Sequence, residues 1–339
     1  CLAHDMGNPP FGHSGEKAMQ TFFTEGPGSE LQRLLPHPFW EDITHFEGNA
    51  NAFRLLTHQF LGRRTGGFVM TYSMLASIVK YPFSSAAAGR KGKFGFFNSE
   101  KDIFRKVADE LGVPCVSGPG EPLRYVRYPL VYLVEAADDI CYEIMDLEDA
   151  HKLRILSFDE TSQLMLSFFP GDQQQRILQR IDSEGLTDDN EKVVYLRACV
   201  IGLLESECTR AFADHEQQVL NGQLEGSLVD HISDLPREAY RSCTRLSRQR
   251  IYSSKPVLDV ELSGYKIMET LMEQMMEAVV HPERFYSQQL MGRVPSQYDI
   301  ASPSLETRIM AVIDYISGMT DVYALDVYQK ICGLSLPIV

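Results

Sequence analysis

From Pro129 the chain reads Leu130-Val-Tyr-Leu-Val134-Glu135-Ala-Ala-Asp138-Asp139-Ile-Cys-Tyr142-Glu-Ile-Met-Asp146-Leu-Glu-Asp149-Ala150, and this run constrains the fold more than any other. Val131, Val134, Asp138, Tyr142 and Met145 fall at i, i+3, i+7, i+11 and i+14, the period of one helical face. Asp138 interrupts that apolar stripe where an unpaired carboxylate is expensive, so either a metal ion or a basic neighbour must offset its charge. Tyr142 and Asp146 follow at successive i+4 steps, which makes Asp138, Tyr142 and Asp146 one polar track.

Helical periodicity recurs along the whole chain. It predicts helices over 17–30, continuing from a turn at Glu16, and over 44–56, 69–81, 99–111, 158–169, 172–182, 189–220, 226–252, 264–280, 303–318 and 320–332. Ser302-Pro303 reads as the N-cap and N1 pair of the 303–318 helix. The short run Val257-Leu-Asp-Val-Glu261 reads as extended, but no series of strands accompanies it, and no internal repeat stands out. The expectation is an all-α fold, with a catalytic core over 1–150 and a helical portion over 151–339 packing on it as one continuous globule.

Composition narrows the class. Of 339 residues, 44% are hydrophobic and 23% charged, an ordinary globular balance. No run of about twenty apolar residues exists, so no membrane span is expected, and no signal peptide is evident. Seven cysteines lie mostly in apolar stretches without CxxC spacing, which predicts reduced, buried thiols in a cytoplasmic protein rather than a disulfide or zinc framework. A net charge of −14 argues against a generic polyanion-binding surface, so an anionic ligand must be met by local positive charge. The basic stretch Ser84-Ser-Ala-Ala-Ala-Gly89-Arg90-Lys91-Gly92-Lys93-Phe94-Gly95-Phe96-Phe97 is the strongest such cluster; it reads either as a loop that folds over phosphates or as a solvated charge run.

The chemistry concentrates near the start, in His4-Asp5-Met-Gly-Asn8-Pro9-Pro10-Phe-Gly12-His13-Ser-Gly-Glu16. Imidazole nitrogen beside carboxylate oxygen suits Mg, Mn, Fe or Zn. His4 and Asp5 read as the end of a helix that Asn8-Pro9-Pro10 must stop. Glu16 lies three residues after His13, so its carboxylate can orient the ring and raise its basicity. A metal-binding doublet followed by an oriented histidine suggests hydrolysis, the ion activating water and the histidine moving a proton. His45, Glu47 and Asn49 crowd the first turn of the 44–56 helix, where they either line a pocket for an anionic or sugar ligand or cap the helix. The chain opens without Met inside what reads as a helix, so a preceding segment is expected.

Together, His4–Glu16, His45-Phe-Glu-Gly-Asn49-Ala, Lys80-Tyr-Pro, Lys93-Phe-Gly-Phe-Phe, Glu135–Tyr142, Asp146-Leu-Glu-Asp149-Ala and Asp314-Tyr-Ile-Ser-Gly-Met-Thr-Asp321 resemble, in family order, the bacterial deoxyguanosine triphosphate triphosphohydrolases (dGTPases) of the HD-domain superfamily. The resemblance implies an HD-domain helical bundle elaborated with further helices, and Mg²⁺ or Mn²⁺ held by two histidines and two aspartates. His4, Asp5 and Asp138 match three of these ligands; the remaining histidine precedes them in the family and has no counterpart here. It further implies His13 and Glu16 as the catalytic pair, Lys80 and Lys93 as phosphate ligands, and Tyr142 and Asp146 around the deoxyribose. His45 and Asn49 match pocket residues, and Glu261-Leu-Ser-Gly-Tyr265 is the match in the half that reads the base.

The activity so implied is hydrolysis of dGTP at the α-phosphorus to deoxyguanosine and tripolyphosphate. Broader dNTP hydrolysis, or a nucleotide- or single-stranded-DNA-responsive binding module with a degenerate site, stands as the alternative. The family also forms homo-oligomers, up to hexamers, and responds to single-stranded DNA.

Overall fold

The computed structural model describes residues 1–64, 67–89 and 92–335, so Arg90 and Lys91 of the basic stretch lie outside the described residues. The fold is all-α. In chain order the helices are α1 (Gly12–Thr24), α2 (His37–Thr44), α3 (Gly48–Thr57), α4 (Tyr72–Ile78), α5 (Lys101–Leu111), α6 (Pro129–Lys152), α7 (Phe158–Leu166) and α8 (Gly171–Ser183). They continue with α9 (Asp189–Asp214), α10 (Glu216–Leu220), α11 (Asp234–Leu246), α12 (Lys255–Val280), α13 (Phe285–Met291), α14 (Leu305–Ser317) and α15 (Asp321–Ile331). Among the described residues there is no strand, and the isolated bridges Phe83–Arg124, Ser84–Phe96 and Cys115–Tyr125 are the β-type pairing seen.

The helices fall into two compact units, one of Leu2–Arg127 with Asp259–Val339, the other of Tyr128–Leu258 with Cys1. In the first unit, Met19, Phe22 and Phe23 of α1 share a core with Met268, Leu271, Met272 and Met275 of α12 and with Ile309, Val312, Ile313 and Ile316 of α14. In the second, Tyr132, Ala136, Ile140, Ile144 and Leu147 of α6 share one with Val193, Leu196, Val200 and Leu204 of α9. Each fully buried aliphatic or aromatic side chain contributes roughly 1.5–3 kcal/mol.

Local chemistry sets the helix ends. Pro129 opens α6, where its missing N–H is not needed, Ser157 and Glu160 close a capping box on α7, and Asp188 caps α9 by accepting from the Asn190 and Glu191 amides.

Several expectations are corrected. Residues 257–261 are helical, not extended: Pro256 fits the first turn of α12, and Ser263 Oγ already donates to the Asp259 carbonyl one turn back. The cap of α14 is Ser304, whose Oγ accepts from the Thr307 amide at 3.3 Å, so Pro303 precedes the helix. His4 and Asp5 sit in turns rather than a helix, with bonds spanning three residues from Met6 N to Ala3 O and from Asn8 N to Asp5 O. The 226–252 stretch is divided into a 3₁₀ turn at Leu228–His231, α11, and a π-helical turn at Ser247–Ile251. The core face of α6 is the Tyr132–Ile140–Leu147 side, while Tyr142 and Met145 are exposed, so Asp138 does not interrupt the stripe that packs in the second unit. Of the cysteines, only Cys208 and Cys243 are buried, and burial pushes both thiols up to about 12.

A buried ion triad ties α3 to α14 and to the turn entering α5 in the first unit. Arg54 of α3, 4% exposed, donates from Nε and Nη2 to the two oxygens of Asp314 on α14, each at 2.8 Å, and from Nη1 to Glu100 Oε1 at 2.6 Å. Burial alone would raise the Glu100 carboxyl, but Arg54, His58 and Ser99 outweigh it and hold the group below its ordinary range. Arg54→Met would leave two buried carboxylates without their partner. It is expected to destabilise the chain by about 3–5 kcal/mol, measured by denaturant unfolding.

Candidate active site

The histidine turn is built at the head of α1. Phe11 adopts φ 62°, a left-handed conformation that costs a non-glycine residue on the order of 1–3 kcal/mol. Two remote contacts hold it there. Its N–H donates to Asp321 Oδ1 at 2.9 Å, and its ring lies so close to α12 that a Cβ on Gly264 would sit 2.4 Å from Phe11 Cγ. Ser14 Oγ adds a third tie, donating to the Glu261 carbonyl at 2.8 Å, and so brings the exposed Glu261 onto the same turn.

His13 and Glu16 meet as their spacing predicts, His13 Nδ1 lying 3.1 Å from Glu16 Oε2. Glu16 is buried, and its other oxygen accepts from the Gly48 amide at 2.7 Å, which locks α1 to the first turn of α3. The approach leaves no room for side chains: a Cβ on Gly7 would sit 2.1 Å from both the Ala52 nitrogen and the Gly48 oxygen. The hydrogen bond to Glu16 raises the His13 pKa above its ordinary value, outweighing burial and the Lys93 charge. For Glu16, burial is outweighed by His13, Lys93 and the Gly48 amide, and its carboxyl is held below its usual range.

Lys93 stands beside this pair. Its Nζ is 2.6 Å from Glu47 Oε1 and 3.6 Å from Glu16 Oε2. Glu47 is 1% exposed and caps α3, its two oxygens accepting from the Asn49 amide at 2.9 Å and from Asn49 Nδ2 at 3.1 Å. Asn49 thus takes part in the cap. Burial raises the Glu47 carboxyl, whereas for Lys93 the neighbouring Glu47 and Glu16 charges overcome burial and raise the ammonium. The loop that carries Lys93 is anchored on Asp42 of α2, which accepts from Ser85 Oγ at 2.6 Å and from the Asn98 amide at 2.7 Å. Burial pushes Asp42 up to about 7. The His45 ring N–H donates to the Glu41 carbonyl at 3.0 Å. Lys80, half-buried, follows α4 at a bend.

At the doublet, His4 Nε2 lies 3.2 Å from Asp5 Oδ2, while Asn8 Nδ2 donates to Asp5 Oδ1 at 3.0 Å. One nitrogen and one oxygen donor therefore converge, a set that suits a divalent ion.

The second unit, described by itself, holds a different cluster on α6. Tyr252 Oη donates to Asp146 Oδ2 at 2.6 Å, and Tyr142 pairs with the same tyrosine. Burial raises Asp146 above its ordinary range. Glu143 accepts from Thr244 Oγ1 at 2.8 Å and Ser247 Oγ at 2.9 Å, which fixes the π-helical turn preceding Tyr252. Asp138 is half-buried one turn before Tyr142. Sequence reasoning missed Tyr252, Asp42 and the Phe11–Asp321 contact, although Asp321 closes a motif it had singled out.

The turn-borne His-Asp doublet and the glutamate-braced histidine stand in an all-α fold, the arrangement that the resemblance to the HD-domain phosphohydrolases implies. A family model described as a phosphohydrolase-associated domain matches residues 228–330. A deoxyguanosinetriphosphate triphosphohydrolase-like protein of Pseudomonas aeruginosa is 34% identical over 348 residues, covering 99% of this chain and 76% of that protein. One of the same description from Synechocystis is 34% identical over 349 residues with the same coverage. The deoxyguanosinetriphosphate triphosphohydrolase of Yersinia pestis is 27% identical over 407 residues, covering 98% of this chain and 77% of that protein. The chain belongs to this deoxyguanosinetriphosphate triphosphohydrolase-like family. Among the described residues no helix is long and apolar enough to cross a membrane.

Glu16→Gln removes the charge that holds the His13 proton. The His13 titration midpoint, followed by NMR of the ring, is expected to fall toward its ordinary value of 6.5.

Proposed function

We propose that the protein hydrolyses dGTP at the α-phosphorus, releasing deoxyguanosine and tripolyphosphate, with His13 and Glu16 as the catalytic pair. The observation that supports this most is the triad of exposed His13, buried Glu16 and adjacent Lys93, a proton carrier, its orienting group and a cation within one small site. His4, Asp5 and Asp138 would hold Mg²⁺ or Mn²⁺; the donors at His4 and Asp5 fit such an ion, which when bound supplies positive charge to the α-phosphate oxygens and to water.

The chain's own residues do the rest. Lys93, with Lys80, neutralises the tripolyphosphate charge, and Lys93 must leave Glu47 to do so. His13 keeps its proton to a higher pH than an ordinary histidine, which suits it to give that proton to the departing 5′-oxygen. Tyr142 and Asp146, fixed to each other through Tyr252, lie against the deoxyribose, where a bulky ring rejects a 2′-hydroxyl. By the family resemblance, His45, Asn49 and Glu261 also contact the nucleotide. Homo-oligomerisation and a response to single-stranded DNA belong to this reading through the family resemblance, and a cytoplasmic location through the cysteine spacing.

Two experiments test it. Incubation with dGTP, dATP and GTP in Mg²⁺ or Mn²⁺, followed by separation of the phosphate products, is expected to yield tripolyphosphate from dGTP. Similar turnover of dATP would broaden the reading to a general dNTPase, and absence of product with nucleotide still bound would favour the degenerate binding module. In an active chain, His13→Ala is expected to keep nucleotide affinity while kcat falls by about 10² or more. Because His13 acts protonated, kcat should decline as pH rises through its raised pKa, and Glu16→Gln should move that decline to lower pH.

A further inference from the structure

Lys93 is not poised for an anion in this structure; it is already claimed. Two buried carboxylates compete for its ammonium, Glu47 at 2.6 Å and Glu16 at 3.6 Å. They are not equivalent. Glu16 also serves His13, whereas Glu47 turns its remaining capacity to the Asn49 backbone and side-chain nitrogens at the head of α3. Glu47 therefore has a fixed position, set by the helix it caps, from which to hold the lysine.

We propose that Glu47 is a positioning residue: it holds the Lys93 ammonium off the His13–Glu16 pair, so that Glu16 stays committed to the histidine until an anionic ligand draws the lysine away. Without Glu47 the nearest carboxylate to Lys93 is Glu16 Oε2, the same oxygen that meets His13 Nδ1. A lysine settling there would compete for the bond that orients the ring. The functional part of this inference rests on the reading of Lys93 as a phosphate ligand; the positional part rests on the geometry alone. Among the described residues, the charged groups acting on His13 are Glu16 on its own helix, Lys93 on the neighbouring loop and Glu47 at the head of α3.

The test is a double-mutant cycle on the ligand-free full chain, read as the NMR titration midpoint of His13. Glu47→Gln retains an acceptor for the Asn49 amide and removes only the charge; it is expected to lower the midpoint by about half a pH unit or more. Lys93→Met is expected to raise it. In the Lys93→Met background, Glu47→Gln should have less than about half its effect in the parent, because the glutamate acts mainly through the lysine. An unchanged midpoint in folded Glu47→Gln, or equal shifts in both backgrounds, would overturn the proposal and leave Glu47 as a helix cap. Should Glu47→Gln fail to fold, Lys93→Met still decides, since a fall or no change in the midpoint contradicts the arrangement.

A companion measurement is the affinity for inorganic tripolyphosphate, expected to tighten about threefold or more in Glu47→Gln as one competing carboxylate is neutralised. Weaker or unchanged binding would count against Glu47 as the group that restrains the lysine. The titration needs no turnover, so a chain that hydrolyses no dGTP overturns the proposed activity without touching the positional result.

Discussion

The first unit depends on one buried cation. A guanidinium removed from water is tolerated only when fully paired, and Arg54 meets that demand with carboxylates drawn from two remote segments, Asp314 and Glu100. Because all three are buried, α3, α14 and the turn entering α5 take up one mutual arrangement. The neighbouring Asn51 extends it, donating to the Gly7 carbonyl and to Ser317 Oγ. The histidine turn, the glutamate that braces it and the lysine loop all hang from this frame.

Above that frame, the site is a chain of carboxylates with divided loyalties. Glu16 serves a backbone amide, a histidine and, at longer range, a lysine. Glu47 serves a helix cap and the same lysine, and Asp42 secures both ends of the loop that bears it. Each carboxylate is buried, so none can drop a partner without another taking its place. The positions of His13 and Lys93 are consequently linked, although the two side chains sit on different elements.

What the sequence reveals follows from range. Helix existence, which depends on local periodicity, was legible for most elements though not for the short α2 and α13, and His13 with Glu16 was legible because three residues of helix bring them together. Boundaries were less so: Ser302 with Pro303 reads as the cap of α14, whereas the bond from the Thr307 amide puts the cap at Ser304. The face of α6 was misread because two apolar stripes coexist on it, and Tyr132, Ala136 and Ile140 rather than the Asp138 stripe enter the second unit's core. Contacts such as Phe11 with Asp321, Asp42 with Asn98 or Tyr252 with Asp146 leave no periodic trace. Glu47 could be read as a cap or as a pocket residue, and its bond to a lysine on another element was beyond any local pattern.

The bond from Phe11 to Asp321 spans 310 residues of chain and that from Arg54 to Asp314 spans 260. At roughly 5–20 residues per second of synthesis, Phe11 and Arg54 wait on the order of ten seconds to a minute for the partners that hold them in place. The second unit, apart from Cys1 a single stretch ending at Leu258, is made before either partner. The histidine turn is thus made long before the residues that secure it, and a chain cut short before Asp314 carries its chemical groups without the frame that orders them.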